Sequence, residues 1–456
     1  MGLRQDLQGV VGAGHVLGPE ALALRSPGWC RHSQGAGLLV RPADAAELSA
    51  VLRVAAGQGV SVVPQGGLTG LVEGTESHPG QVIVSFERMN AIESVDAAQG
   101  VALVGAGVTL AALDAALAPL GLMAGVDIGA RDSCTIGGMV STNAGGIRVL
   151  RYGMMRAGVL GLEVVLADGA VLDLTTPLLK NNAGYDLKQV FIGSEGTLGL
   201  VTKVALRLFP RPRGVATALA GLDPGALSAL MPRLRGALGG DLAALEGLWP
   251  ACYAHVVRGM GLTRLPMAGG QGLYLIVEAF GADDARARAA LEGALGPLLE
   301  DGTLADAVLA QSEAERAAIW RIREAGGAIG SGGETVYSYD VSLRLADLDP
   351  YVRAVESRAA IELPGVAILT LGHVGDGNLH VMTLGTPGLS RAACDALVYG
   401  VLRGFADASV SAEHGIGVEK LEVLQAVQEP AVRAAMRAMK AAFDPENRLN
   451  PGKVLG

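Results

Sequence analysis

Val60-Ser-Val-Val-Pro64-Gln65-Gly66-Gly67-Leu68-Thr69-Gly70-Leu71 carries an apolar, β-branched run into a loop with three glycines and one hydroxyl. The run reads as a strand. The loop exposes successive backbone N–H groups, an arrangement that cradles a diphosphate; a plain glycine turn fits these residues equally well. Upstream lies a short strand at 37–40. Asp44-Ala-Ala-Glu47 then has capping-box spacing, with Leu48, Val51, Leu52 and Ala55 on one helical face. Strand, helix and strand make a βαβ opening, and a crossover of this length suits a parallel pair. Residues 1–36 carry turn signals and give no clear element. Gly12-Ala-Gly-His-Val-Leu-Gly18 follows no strand and does not read as a nucleotide loop.

Two more glycine stretches follow. Asp127-Ile-Gly-Ala-Arg-Asp-Ser133-Cys-Thr135-Ile-Gly137-Gly138-Met-Val-Ser141-Thr142-Asn143-Ala-Gly145-Gly146 is too rich in Gly and Ser/Thr for a regular helix and too apolar for a linker. A backbone pressed against a flat, polar ligand needs this composition. Ile192-Gly193-Ser194-Glu195-Gly196-Thr197-Leu198-Gly199-Leu200 leads into a strand at 201–208. Between them, 159–167 and 171–174 read as a hairpin around Asp168-Gly169. Pro210-Arg-Pro-Arg213 breaks the pattern and marks a domain boundary. Beyond it, strands at 273–280, 335–343, 366–371 and 379–384 mix with helices at 283–299, 312–325 and 391–408. This predicts an α+β layer with helices on one face.

The chain has 456 residues, too many for one ordinary core, so two or three domains are expected. Half the residues are apolar and 18% are charged, which excludes a disordered chain. A net charge of −9 without a basic block argues against a nucleic-acid partner. No apolar run is long enough to span a bilayer, and residues 1–6 lead into no secretory core. Cys30, Cys134, Cys252 and Cys394 are scattered, which predicts buried thiols in a reducing, cytoplasmic setting.

Gly372-His373-Val374-Gly375-Asp376-Gly377-Asn378-Leu379-His380 places two histidines around a tight turn between the strands at 366–371 and 379–384. Such a hairpin brings both imidazoles within reach of one metal ion. Ser411-Ala412-Glu413-His414-Gly415-Ile416-Gly417 offers a third donor from an adjacent carboxylate and histidine. Two histidines and a carboxylate with an open position form a catalytic type of metal set. The bland alternative is that hairpin histidines cap strands.

These motifs together resemble a known family. Pro-x-Gly-Gly-x-Thr-Gly, Ile-Gly-Gly…Thr-Asn-Ala-Gly-Gly and Gly-Ser-Glu-Gly-Thr-Leu-Gly resemble the PCMH-type FAD domain of vanillyl-alcohol-oxidase flavoproteins. Gly372–His380 and Ala412-Glu-His-Gly-Ile-Gly417 resemble the D-2-hydroxyacid dehydrogenase branch. The run 148–202 is most similar to D-2-hydroxyglutarate dehydrogenases. The resemblance covers about residues 35–456. It implies an N-terminal segment at 1–36, a two-part FAD domain at 37–212, an α+β substrate (cap) domain at 213–440 and a tail at 441–456 returning to the FAD domain.

The same resemblance implies FAD contacts at Pro64, Gln65, Gly66, Gly67, Thr69, Gly70 and Leu71 for the diphosphate. Ser133, Thr135, Gly137, Gly138, Thr142, Asn143, Gly145 and Gly146 would meet the ribityl chain and ring. Glu195, Gly196, Gly199 and Leu200 would lie on the adenine side, and Asn450 belongs to the tail. Some of these flavoproteins bond FAD to a histidine in the first glycine loop. Here Gln65 and Leu68 stand there, so FAD is expected to be non-covalent. His373, His380 and Glu413 would hold Zn²⁺ or Mn²⁺, with His414 as the general base. Arg323 would bind the substrate carboxylate, although Arg316 and Arg321 share its helix. Asn378 would touch substrate, but an Asn in a turn needs no such role. A hydroxyl on a dication is acidified as bound water is, from about 15.7 toward about 7. A neutral histidine then takes the proton, and hydride passes to the flavin.

Two positions depart from the dicarboxylate pattern. Ser338 stands where a lysine is expected, and Met382 where an asparagine is expected. Both changes favour a shorter or more apolar tail, such as that of D-lactate or glycolate. The resemblance thus implies a small D-2-hydroxy acid as the substrate. With no nicotinamide fingerprint, the electron acceptor is expected to be an electron-transferring flavoprotein, a quinone or a cytochrome. A homodimer is compatible with the sequence. A metal hydrolase would leave the glycine stretches unexplained. A non-catalytic FAD subunit of a glycolate-oxidase-type complex would be expected to lack the metal set.

Overall fold

The computed structural model describes residues 2–262, 265–330 and 333–456. They form two compact units. One comprises Met1–Gly145, Gly153–Arg211 and Glu413–Gly456; the other comprises Gly146–Tyr152 and Pro212–Ala412. Set beside the segments read from the sequence, residues 1–36 form no unit of their own, the boundary near Arg213 falls between Arg211 and Pro212, and two further segments change sides. Residues 146–152 join the second unit, where Arg148 pairs with the buried Glu278. Residues 413–440 join the first, where Val418 N–H donates to Val72 O at 3.0 Å and Lys440 Nζ to Thr197 O at 2.8 Å.

The first unit holds two sheets. Leu39–Val40 and Val62–Gln65 run parallel, as the βαβ reading requires, but Val82–Ser85 lies between them and pairs with both. The connecting helix Ala45–Gly57 starts where the capping signal put it. Asp44 Oδ1 accepts from Glu47 N–H at 2.8 Å, a cap whose removal costs about 1 kcal/mol. The Glu47 carboxylate reaches back to Ala43 N–H at 2.7 Å. Its predicted apolar face is buried at Leu48, Val51, Leu52 and Ala55. Helix Leu3–Val11 packs on it, an element the sequence did not disclose. The second sheet is antiparallel, in the order Ile92–Asp96, Val101–Gly105, Leu200–Pro210, Val159–Val165, Val171–Leu174. The tail returns to the first sheet: Leu449 bridges Val62, and Asn450 N–H donates to Val62 O at 2.8 Å.

One local expectation fails. The second glycine stretch does contain a helix, Ile136–Thr142. Thr135 caps it by accepting from Gly138 N–H, and Asn143 ends it at φ 51°. Gly137 is required there by tertiary contact, since a Cβ would lie 2.5 Å from Ala106 Cβ. Close packing against Ala106 overrides weak helix propensity.

The second unit is built on one antiparallel seven-stranded sheet. Its order is Asp306–Leu309, Gly214–Leu222, Leu273–Gly281, Leu242–Leu248, Ala367–Gly372, Asn378–Gly385, Thr335–Ser342. Leu248, Tyr274, Ile276, Leu371 and Met382 pack with helices Pro250–Gly259 and Glu313–Glu324. The intervening strand positions are buried as well. On that opposite face a Cβ at Gly281 would lie 2.7 Å from the backbone of Ala287, on helix Asp284–Glu300. Helices therefore cover both faces, not one. The reason is that the central strands Leu242–Leu248 and Leu273–Gly281 are apolar on both faces and need shielding on either side. Glu278 on this sheet is 0% exposed and accepts from Trp320 Nε1 at 2.7 Å, Thr217 Oγ1 at 2.6 Å and Arg148. Removing one partner from such a buried pair costs about 3–5 kcal/mol.

Candidate functional site

In the first unit the three glycine stretches converge. A Cβ at Gly66 would lie 2.4 Å from Thr135 Oγ1, and one at Gly67 only 1.7 Å from Ser133 O. The first loop thus crosses the second in direct contact. Leu68 and Glu195 both take left-handed backbone, at φ 56° and 53°. A Cβ at Gly196 would meet Pro64 at 2.6 Å, so the third stretch reaches the first. Gly70 faces open space. Gln65 is engaged elsewhere: its Nε2 donates to Ser33 O at 2.6 Å. Asn450 Nδ2 donates to Glu195 O at 2.8 Å and to Gly74 O at 3.1 Å. Its Oδ1 is buried with no partner among the described residues. Such a group calls for a ligand or water. Crossed glycine loops beside an orphaned polar atom fit a bound FAD.

Glu195 has a role the sequence did not suggest. It is buried, and its two carboxylate oxygens accept from Ile416 N–H at 2.7 Å and Gly417 N–H at 2.8 Å. Burial pushes its carboxyl up, against the pull of those two N–H groups and of Lys420. The third glycine stretch thereby holds the turn just beyond Glu413 and His414. Gly415 and Gly417 take φ 86° and 52° in that turn, and Gly417 has no room for a Cβ against Val72 O at 1.8 Å. His414 Nε2 lies 3.7 Å from Glu413 Oε1.

In the second unit the hairpin forms as read. Ala367–Gly372 and Asn378–Gly385 pair antiparallel, with Gly377 at φ 87° in the turn. The rings of His373 and His380 meet edge to face, centroids 5.2 Å apart. His373 Nδ1 lies 2.7 Å from Glu246 Oε1, and Arg323 Nε donates to Glu246 Oε2 at 2.8 Å. Burial pushes the Glu246 carboxyl up, but the charges of His373 and Arg323 outweigh it and hold it below the usual range. The helix arginines differ: Arg323 is tucked against Glu246, whereas Arg316 pairs with Glu313 and lies 4.0 Å from Glu278, and Arg321 is exposed.

Asp340 is the second carboxylate that went unforeseen. It pairs across strands with His380, whose Nδ1 lies 3.9 Å from Asp340 Oδ1. Oδ1 accepts from Asn378 Nδ2 at 2.7 Å, and Oδ2 from Ala412 N–H at 3.0 Å. Asn378 is therefore engaged through its amide nitrogen, with Oδ1 buried and without a partner among the described residues. Ala412, anchored on Asp340, is the residue before Glu413 in the chain. Imidazole and carboxylate are donor types that suit a divalent cation, and His380 and Asp340 offer one of each. Ser338 and Met382 are direct cross-strand partners, on the same sheet face as Asp340 and His380.

The crossing of the first two glycine stretches gives a test. Gly67→Ala forces the Ser133 backbone away and is expected to weaken FAD binding by roughly tenfold or more, ~1.4 kcal/mol. The flavin-to-protein absorbance ratio of the purified variant measures this; a parental ratio would show that the crossing does not shape the cradle.

Comparison with known proteins agrees with this picture. The family described as FAD binding domain matches residues 36–175, and the family described as FAD linked oxidases, C-terminal domain, matches residues 211–454. A D-2-hydroxyglutarate dehydrogenase, mitochondrial, of Bos taurus is 38% identical over 98% of this chain and 82% of its own length. A D-2-hydroxyglutarate dehydrogenase of Xanthomonas citri pv. viticola is 38% identical over 91% of this chain and 88% of its own. A probable D-2-hydroxyglutarate dehydrogenase, mitochondrial, of Oryza sativa subsp. japonica is 37% identical over 97% and 79%. Among solved structures, p-cresol methylhydroxylase with substrate bound superposes with a TM-score of 0.75 at 17% identity, covering 99% of this chain and 96% of that one. An alkyldihydroxyacetonephosphate synthase superposes at 0.71 with 18% identity, covering 92% and 77%. At such identities the structures establish the fold alone: a PCMH-type FAD-binding domain with a C-terminal domain. Among the described residues no helix is long and apolar enough to cross a membrane.

Proposed function

The chain belongs to the FAD-linked oxidases, and from that premise we propose that it oxidises a D-2-hydroxy acid to the 2-oxo acid. The observation that carries this reading is the pairing of Arg323 and His373 on one buried carboxylate, beside the second hairpin histidine. Arg323 would take the substrate carboxylate in its fork. His373, His380 and Glu413 would hold the metal, Zn²⁺ or Mn²⁺. A ring nitrogen of His414 would accept the hydroxyl proton. When bound, FAD takes up the hydride from the α-carbon and the cation acidifies the hydroxyl. The names of the three relatives support this substrate class.

The tail of the acid is argued from two sides. The relatives' names favour D-2-hydroxyglutarate, whereas Ser338 and Met382 supply no cation or amide beyond His380. A panel of D- and L-2-hydroxy acids of several tail lengths against a dye acceptor decides it. Turnover confined to D acids supports the reading, and turnover of L acids alone refutes it. Non-covalent FAD is part of the proposal, so heat or acid is expected to release yellow cofactor. Colour that stays with the precipitated chain would contradict it. Four separated, buried thiols support a cytoplasmic or other reducing setting.

A further inference from the structure

Glu246 sits in the middle of the apolar strand Leu242–Leu248 and is 1% exposed. A carboxylate there is unfavourable unless it is paired. It is paired twice, with partners from two different elements. Arg323 comes from helix Glu313–Glu324, and His373 from the turn after Ala367–Gly372. We propose that Glu246 is a positioning residue that sets His373 and Arg323 as a unit, so that metal affinity and substrate-carboxylate recognition depend on the same side chain. This deepens the function proposed above and rests on it.

Each oxygen has its own effect. A carboxylate at His373 Nδ1 keeps the proton on that nitrogen and puts the lone pair on Nε2, the atom that would ligate a metal. The other oxygen engages Arg323 at Nε. The two terminal nitrogens are then what the guanidinium presents to a substrate carboxylate. Glu278 supplies an internal comparison. It is an equally buried carboxylate on the neighbouring strand, but it holds Arg148, Trp320 and Thr217, none of which is assigned to metal or substrate. If Glu246 merely neutralised buried charge, the two would behave alike.

The test is a Zn²⁺ titration against a competing colorimetric chelator, on FAD-loaded protein, with steady-state kinetics at saturating Zn²⁺. Glu246→Gln is expected to bind Zn²⁺ about 10–100-fold more weakly and to raise KM more than it lowers kcat, with FAD content unchanged. Glu278→Gln is expected to lower thermal stability while leaving Zn²⁺ affinity and KM at parental values. In an Arg323→Met background, Glu246→Gln should keep its Zn²⁺ effect and add nothing further to KM. Should Glu246→Gln alone fail to fold, this double variant removes both buried charges together and carries the Zn²⁺ measurement. Parental Zn²⁺ affinity in either form overturns the inference, as does an equal loss in Glu278→Gln. A parent that turns over D acids and binds Zn²⁺ while Glu246→Gln matches it refutes the positioning role alone. A parent that does neither refutes the proposed function, and the inference falls with it.

Discussion

His414→Asn is expected to slow flavin reduction by roughly 10²–10⁴, with FAD and metal content at parental values. Asn keeps a hydrogen-bonding tip of similar reach but cannot accept a proton at neutral pH. The residue follows Glu413, and neighbours on an extended strand point to opposite faces. The structure has a turn there instead, with Gly415 and Gly417 in left-handed backbone and Glu195 clamping Ile416 and Gly417. Stopped-flow reduction under anaerobic conditions reads the effect. A variant that loses metal would make His414 a ligand. A rate within a few-fold of the parent would place the base elsewhere.

His373→Ala or His380→Ala is expected to remove the metal and abolish turnover while FAD stays bound. The glycine stretches, apart from Gly146, and Asn450 belong to one unit, and both histidines to the other. His373 also has a buried carboxylate within hydrogen-bond reach of Nδ1, Glu246 at 2.7 Å, as metal-binding imidazoles commonly do. Metal analysis and the flavin spectrum of one sample check both halves. Joint loss of flavin and metal would mean that the histidines support the fold.

Much of the architecture was legible because it is written in local pattern. The Asp44 cap, the hairpin around Gly377 and the strand leading to Gly66 depend on neighbours in sequence, and each formed where expected. The helix Ile136–Thr142 was not legible, since only the contact of Gly137 with Ala106 explains glycines in that place. Helix Leu3–Val11 was missed because it buries just Leu7 and Val11 and carries no strong cap. Glu246 and Asp340 were missed, and Glu195 was read only as a flavin contact, for a common reason: the partners named above for their side chains lie 127, 72 and 222 residues away in the chain at the furthest. A signal existed for Glu246: a single acidic residue inside an apolar strand must be paired or functional. Arg323 was separable from Arg316 and Arg321 only once the helix was seen against the sheet.

In the proposed function, flavin and metal act together on a D-2-hydroxy acid. The most direct measurement mixes FAD-loaded protein anaerobically with D-2-hydroxyglutarate, D-lactate and their L forms, and follows bleaching of the yellow band. The same protein is measured after dialysis against a chelator and again after Zn²⁺ or Mn²⁺ is restored. Bleaching is expected with at least one D acid and with no L acid, lost on chelation and regained with metal. Bleaching at the parental rate in metal-free protein, or none by any D acid in metal-loaded protein, would contradict it.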